Sequence, residues 1–327
     1  MQEKQLGVEG SLAGVAKPAV SFAQWFRKVV IPNRYLFLMF LPGLLYFLIF
    51  HYLPMFGIVV AFQRYSPYLG ILKSPWVGFR NFVDFFGGPY AWRIIRNTLL
   101  LNLYGLAFGF PAPIILALLL NELRIDWFKR FVQTITYFPY FISMAVVGGL
   151  VVQLLSPSGT LNILVGQILK MTPINFLEHA KYFRGIFVTA NIWRGVGFGA
   201  IIYLAAIAGI DAELYEAAVI DGAGRWRQMR FITVPSLVPT ITILLLLNLG
   251  NILSVGVELI LLIYNSLTYE TADVIGTFVY RRGISSWSGP PDFGLGAAVG
   301  LFQSVIGLVL LVISNRLARI IGGTSLW

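Results

Sequence analysis

The chain of 327 residues is 57% hydrophobic and only 12% charged, with a mean hydropathy of +0.78 and a formal charge of +10. Several apolar runs reach the roughly 20 residues that cross the hydrocarbon core of a bilayer, so the sequence reads as an all-α integral membrane protein. Its basic residues gather at the ends of those runs, as lipid contact favours, which argues against a nucleic-acid partner; without cysteine there are no disulfides or thiolate metal sites, and the lone His51 and His179 give no metal site.

Residues 1–34 read as a cytoplasmic tail leading into an interfacial helix, in which Phe22, Trp25, Phe26, Val29 and Val30 recur at helical spacing among Arg27, Lys28 and Arg34. Six spans are expected within residues 35–321. The first covers about Tyr35–Phe62 and contains Pro42 and Pro54, so kinks are expected there. A polar, Gly- and Pro-punctuated loop follows, then the second span, Ile94–Leu120. The short basic stretch Asn121–Arg130 marks the cytoplasmic side and leads into a third span, Val132–Leu155. The loop Ser156–Arg184 is expected on the exported side, before the fourth span, Gly185–Ile210. A fifth span runs from Pro235 to about Asn265, an exported loop covers Ser266–Asp292, and the sixth span is Phe293–Ile313. The tail 322–327 lies on the same, cytoplasmic side as the N-terminus.

Between the fourth and fifth spans sits a polar, charged island, residues 211–235. Ala217, Ala218 and Ala223 favour a short helix and Gly222 permits a tight turn, with Glu213 and Glu216 near the start of the island and Arg225, Arg227 and Arg230 toward its end. Glu216-Ala217-Ala218, Asp221-Gly222-Ala223, Ile232 and Pro235 stand as EAA-x-x-DGA followed after eight residues by I-x-x-P. This spacing resembles the EAA loop of ABC importer permeases. Asn97-Thr98-Leu99, Phe110-Pro111-Ala112-Pro113, Tyr137 to Phe141, Leu204 to Ile210 and the closing Ser325-Leu326-Trp327 are similar to the lipopolysaccharide, aldouronate and alginate group of oligosaccharide permeases, relatives of the maltose permease.

The resemblance implies a six-helix type I ABC importer transmembrane domain in a bacterial inner (plasma) membrane. It also implies a second homologous permease, two cytoplasmic ATP-binding subunits and an extracytoplasmic solute-binding protein. Glu213, Glu216, Ala217, Ala218, Asp221, Gly222, Ala223, Met229, Ile232 and Pro235 would then couple the chain to its ATPases. Met229 stands where many relatives carry an aromatic residue and is expected to fill an apolar docking pocket.

No phosphate-binding loop is present, so ATP and magnesium are expected on the partner ATPases and no cofactor on this chain. No side-chain set argues for an enzyme active site. Polar side chains within spans are costly in lipid and mark either a substrate path or interhelical hydrogen bonding, and both readings stay open. On the fourth span these are Asn191, Arg194, Gly195 and Phe198, expected on one face, with Trp193 nearby. On the fifth, Asn248, Asn251 and Glu258 are expected to share a face. Arg194 and Glu258 are candidates to pair with each other. The favoured expectation is an ATP-driven permease that moves oligosaccharides, acidic ones among them, by alternating access. The alternatives are an ion-gradient-driven transporter or channel, using Arg194 and Glu258 as coupling groups, and a purely structural assembly subunit.

Overall fold

The computed structural model describes residues 31–169, 172–285 and 290–322, so the expected N-terminal tail, most of the interfacial helix and the tip of the C-terminal tail lie outside the described residues. Among the described residues the regular secondary structure is helical, with one isolated bridge between Gln63 and Trp76. Six helical segments are long and apolar enough to span a membrane: Arg34–Phe62, Ala91–Glu122, Met144–Ile168, Ala180–Ala208, Arg225–Gly250 and Phe293–Ile320. The described residues divide into two units, one up to Gly57 and one from Ile58 onward.

Proline sets a recurring local distortion. π-helical turns occupy Leu48–Tyr52, Gly105–Gly109 and Met229–Thr233, and each ends two residues before a proline, at Pro54, Pro111 and Pro235. A proline ring has no N–H and presses on the carbonyl four residues back. Widening the preceding turn by one residue relieves that clash and redirects the hydrogen bonds to i−5, as in Phe110 N–H to Gly105 O at 3.0 Å. The expected kinks of the first span take this form at Pro54, and the same chemistry acts in the second and fifth spans.

Two spans depart from expectation. The third was expected as one helix over Val132–Leu155. It is instead a helix over Asp126–Tyr137, a 3-10 turn over Phe138–Phe141 that contains Pro139, and a new helix over Met144–Leu155. Ser143 starts that last helix by accepting from Val146 N–H at 3.4 Å. Beyond it, Thr160–Leu169 is a further helix where a loop was expected. The fifth span ends at Gly250 instead of reaching Asn265: Asn251 caps it, residues 251–256 are non-helical, and a separate helix begins at Val257. Glu258 therefore lies in the first turn of another helix and shares no continuous face with Asn248 and Asn251.

The second unit packs around three apolar clusters. Leu101, Val147, Phe183 and Ile260 centre one, Phe85, Ile94, Phe278 and Val299 another, and Ala117, Ala200, Tyr203 and Leu237 the third. Close helix approach is enforced at Gly197, where a Cβ would overlap the backbone carbonyl of Thr136. At one end of the unit the segment 264–277 is clasped to the starts of the second and fourth spans. Asp273, wholly buried, accepts from Arg93 at 3.2 Å, Arg281 at 2.9 Å and Thr277 at 2.9 Å. Asn97, also wholly buried, donates to the carbonyls of Glu270 and Asp273 and accepts from Arg184 at 3.1 Å. Burial works against the Arg281 charge, but the bond to Asp273 and the Asp273 carboxylate outweigh it and raise the Arg281 pKa.

Candidate functional site

At the opposite end, where the second span finishes and the fifth begins, residues 211–224 form an exposed projection. Asp211 starts the helix Ala212–Ile220 by accepting from Glu213 N–H at 3.0 Å. None of the residues of that helix is buried; Leu214, Val219 and Ile220 are exposed, alongside Glu213, Glu216 and Ala217, while Ala218 is half-buried. These apolar side chains are spread round a charged, solvent-facing helix instead of forming one face. The helix ends where Gly222 takes φ 73°, a left-handed conformation that glycine adopts without a Cβ penalty. Ala223 N–H then reaches back to Ala218 O at 2.8 Å, so Asp221, Gly222 and Ala223 form one closed turn.

The projection is anchored at its base. The Tyr215 and Thr233 hydroxyls lie 2.9 Å apart, Gln228 donates to Ala223 O at 2.9 Å, and Arg225 pairs with Glu122 at 3.7 Å. Thr233 is buried within the π turn that starts at Met229 and includes Ile232, and Pro235 occupies the first turn of the following helix. Met229 and Ile232 are half-buried at this hinge. Tyr215 and Thr233 were not singled out from sequence; a hydroxyl pair separated by 18 residues has no local signal.

Within the bundle a cavity of about 450 Å³ opens between the second, fourth and fifth spans. Asn102, Gly105 and Gly109 line it from the second span, Asn191, Gly195, Gly199 and Tyr203 from the fourth, and Leu244 and Asn248 from the fifth. The π turn at Gly105–Gly109 therefore forms part of its wall. Asn102, Asn191 and Asn248 each donate one amide N–H to the carbonyl four residues back, at 3.1, 2.8 and 2.8 Å. An amide has two N–H groups and a carbonyl, so each retains further hydrogen-bonding capacity toward the cavity. Asn251 does not join them: it lines a separate cavity of about 280 Å³ with Ser254, Gln303 and Ser304, between the fifth and sixth spans.

The polar face expected on the fourth span divides in two. Asn191 and Gly195 face the cavity, whereas Arg194 and Phe198 turn toward the broken third span. The Arg194 guanidinium lies over the Tyr140 ring, 5.2 Å from its centre, and Tyr140 stacks on Phe198 at 3.9 Å with a 2° interplanar angle. Trp193 is partly exposed outside the cavity. Arg194 does not pair with Glu258; among the described residues no carboxylate lies within ion-pair distance of it, and the exposed Glu258 instead complements the positive end of its own helix. Among the described residues no His, Cys, Asp or Glu group is arranged to hold a metal.

An anchored, exposed helix between two apolar spans, and a cavity with three amides in its wall among those spans, is the arrangement of a membrane permease. Residues 109–322 match the family described as "Binding-protein-dependent transport system inner membrane component", and the chain belongs to that family. It is thus a permease component of the ABC importer class, which disfavours an ion-gradient-driven transporter. It is 46% identical over 288 residues to protein LplB of Bacillus subtilis, covering 88% of this chain and 89% of that one. It is 44% identical to the polygalacturonan/rhamnogalacturonan transport system permease protein YteP of the same organism, covering 95% and 97%. Among solved structures, a chain of a bacterial ABC transporter involved in the import of the acidic polysaccharide alginate matches with a TM-score of 0.83 and 42% identity, covering 91% of this chain and 99% of that one.

Proposed function

We propose that this chain is the permease through which an ATP-driven importer carries oligosaccharides, acidic ones among them, into the bacterial cytoplasm by alternating access. The observation that carries the reading is the cavity whose wall includes both helices that flank the projection together with the second span: amides and glycine-exposed backbone suit sugar hydroxyls, and movement of the projection acts on two of the three helices that line it. The similarity to YteP and to the alginate importer chain supports the substrate class.

In this reading the chain pairs with a second permease, Glu213 to Ala223 dock onto one of two ATPase subunits that hold ATP and magnesium, and a solute-binding protein delivers the sugar on the side opposite the projection. A related alginate importer was solved in complex with an alginate pentasaccharide-bound periplasmic protein, which supports that last partner. Both termini and the projection are on the cytoplasmic side. Asn191, Gly195 and Asn248 line the part of the sugar path that this cavity forms, Arg194 and Phe198 lie on the adjoining face of the fourth span, and Trp193, Asn251 and Glu258 are outside this cavity wall. The test is ATP hydrolysis by the reconstituted complex with its binding protein, measured across neutral and acidic oligosaccharides. Several-fold stimulation by an acidic oligosaccharide is expected, and hydrolysis indifferent to every saccharide would remove the reading.

A further inference from the structure

Arg194 is near the middle of the 29-residue helix Ala180–Ala208, at the depth where an unneutralised guanidinium is most costly in lipid. Its Nε is buried and makes no hydrogen bond, and among the described residues no carboxylate neutralises it. The Tyr140 ring, fixed by its stack on Phe198, holds the guanidinium on one side. Beyond that stack Phe141 stands edge-on to Phe198, with ring centres 6.3 Å apart, and is 74% exposed. The arrangement is one residue along the helix from Gly195, so it lies at the same depth as the amide-lined cavity, on the adjoining face.

A mid-helix cation that is held in place with no carboxylate beside it among the described residues, next to an exposed aromatic ring, has the composition of a site for an anionic ring compound. Sugar rings present C–H faces that pack on aromatic rings, and a guanidinium fork matches a carboxylate in two parallel hydrogen bonds. A neutral sugar would need the rings but not the charge. We propose that Arg194 is the specificity-determining residue for acidic saccharides, taking the carboxylate of a uronate-type unit while Phe141 packs on its ring and the Tyr140–Phe198 stack positions the guanidinium. This rests on the oligosaccharide reading and adds to it the residue that separates acidic from neutral cargo.

The experiment compares a uronate tetrasaccharide with its carboxyl-reduced, neutral counterpart as stimulants of ATP hydrolysis and uptake by the complete complex in proteoliposomes. In Arg194→Gln the response to the acidic tetrasaccharide should fall about tenfold or more, the size of one charge-assisted contact, with the response to the neutral one little changed. Arg194→Lys, which keeps charge but not the fork, should fall between. An unchanged acidic-to-neutral ratio in Arg194→Gln overturns the proposal, and so does an equal loss for both sugars. Failure of Arg194→Gln to co-purify with the second permease, with rescue by Lys, would assign the guanidinium to a carboxylate of that partner instead. If the unaltered complex responds to neither sugar, the oligosaccharide reading itself fails, an outcome distinct from loss of selectivity in the variant.

Discussion

The hydroxyl of Tyr215, on the exposed helix Ala212–Ile220, lies 2.9 Å from the buried hydroxyl of Thr233, at the start of the fifth span. That bond joins the part of the chain that would receive force from an ATPase to a helix that lines the cavity. Tyr215→Phe keeps the ring and removes only the bond, worth on the order of 1 kcal/mol net. The expected result is normal assembly with more ATP hydrolysed per sugar imported, read by measuring both rates in proteoliposomes; an unchanged ratio would show that the helix moves without this link.

Gly222 holds φ 73° with open space around the position of a Cβ, so substitution there acts through backbone strain and not through crowding. Gly222→Val should cost about 1–3 kcal/mol in the projection and misalign Asp221 and Ala223. Co-purification of the ATPase should drop sharply while the permease still inserts, and full recovery of the ATPase would remove the turn from the docking surface.

Gly197 gives the opposite case, since its φ is unremarkable for a helix and the obstacle is the Thr136 carbonyl. Gly197→Val must push the third and fourth spans apart, with an overpacking cost of about 1–3 kcal/mol or more. Thermal unfolding in detergent is the measurement, and a melting temperature equal to that of the parent chain would contradict the packing.

Asp273 is wholly buried between Arg93 and Arg281, which keep partial access to solvent. Asp273→Asn preserves shape but leaves two arginines without their carboxylate, with an expected loss of about 3 kcal/mol. The melting temperature should fall by several degrees and protease sensitivity should rise within residues 264–285; a stability unaltered by the change would mean that the clasp is held by its hydrogen bonds to Asn97, Thr98, Leu177 and Ala180.

Asn248 and Asn251, three residues apart, belong to different cavities. Asn248→Leu should lower uptake per assembled complex several-fold, as expected for lost sugar hydrogen bonds of about 1 kcal/mol each, whereas Asn251→Leu should leave it near normal. Equal effects of the two would deny the 450 Å³ cavity a special role in transport.

By itself the sequence determined what local chemistry can determine. Apolar runs must be helices in lipid, because no water is available to satisfy their backbone groups, and the alanine run and Gly222 act within a few residues of one another, so the short helix and the turn that ends it were legible from their motif, whereas the Asp211 cap was not. Tertiary structure decided which side chains meet. An apolar run does not reveal that Pro139 ends one helix and Ser143 begins another, nor that the chain unwinds after Gly250, and such breaks reset the angular phase of every later residue. Glu258 therefore left the face of Asn248, and Arg194 met Tyr140, not a carboxylate. In a span where most positions are apolar all round, the amphipathic signal that would fix which face points inward is weak, so the placement of Asn191 in the cavity and Arg194 beside it was set by close contacts such as Gly197 on Thr136.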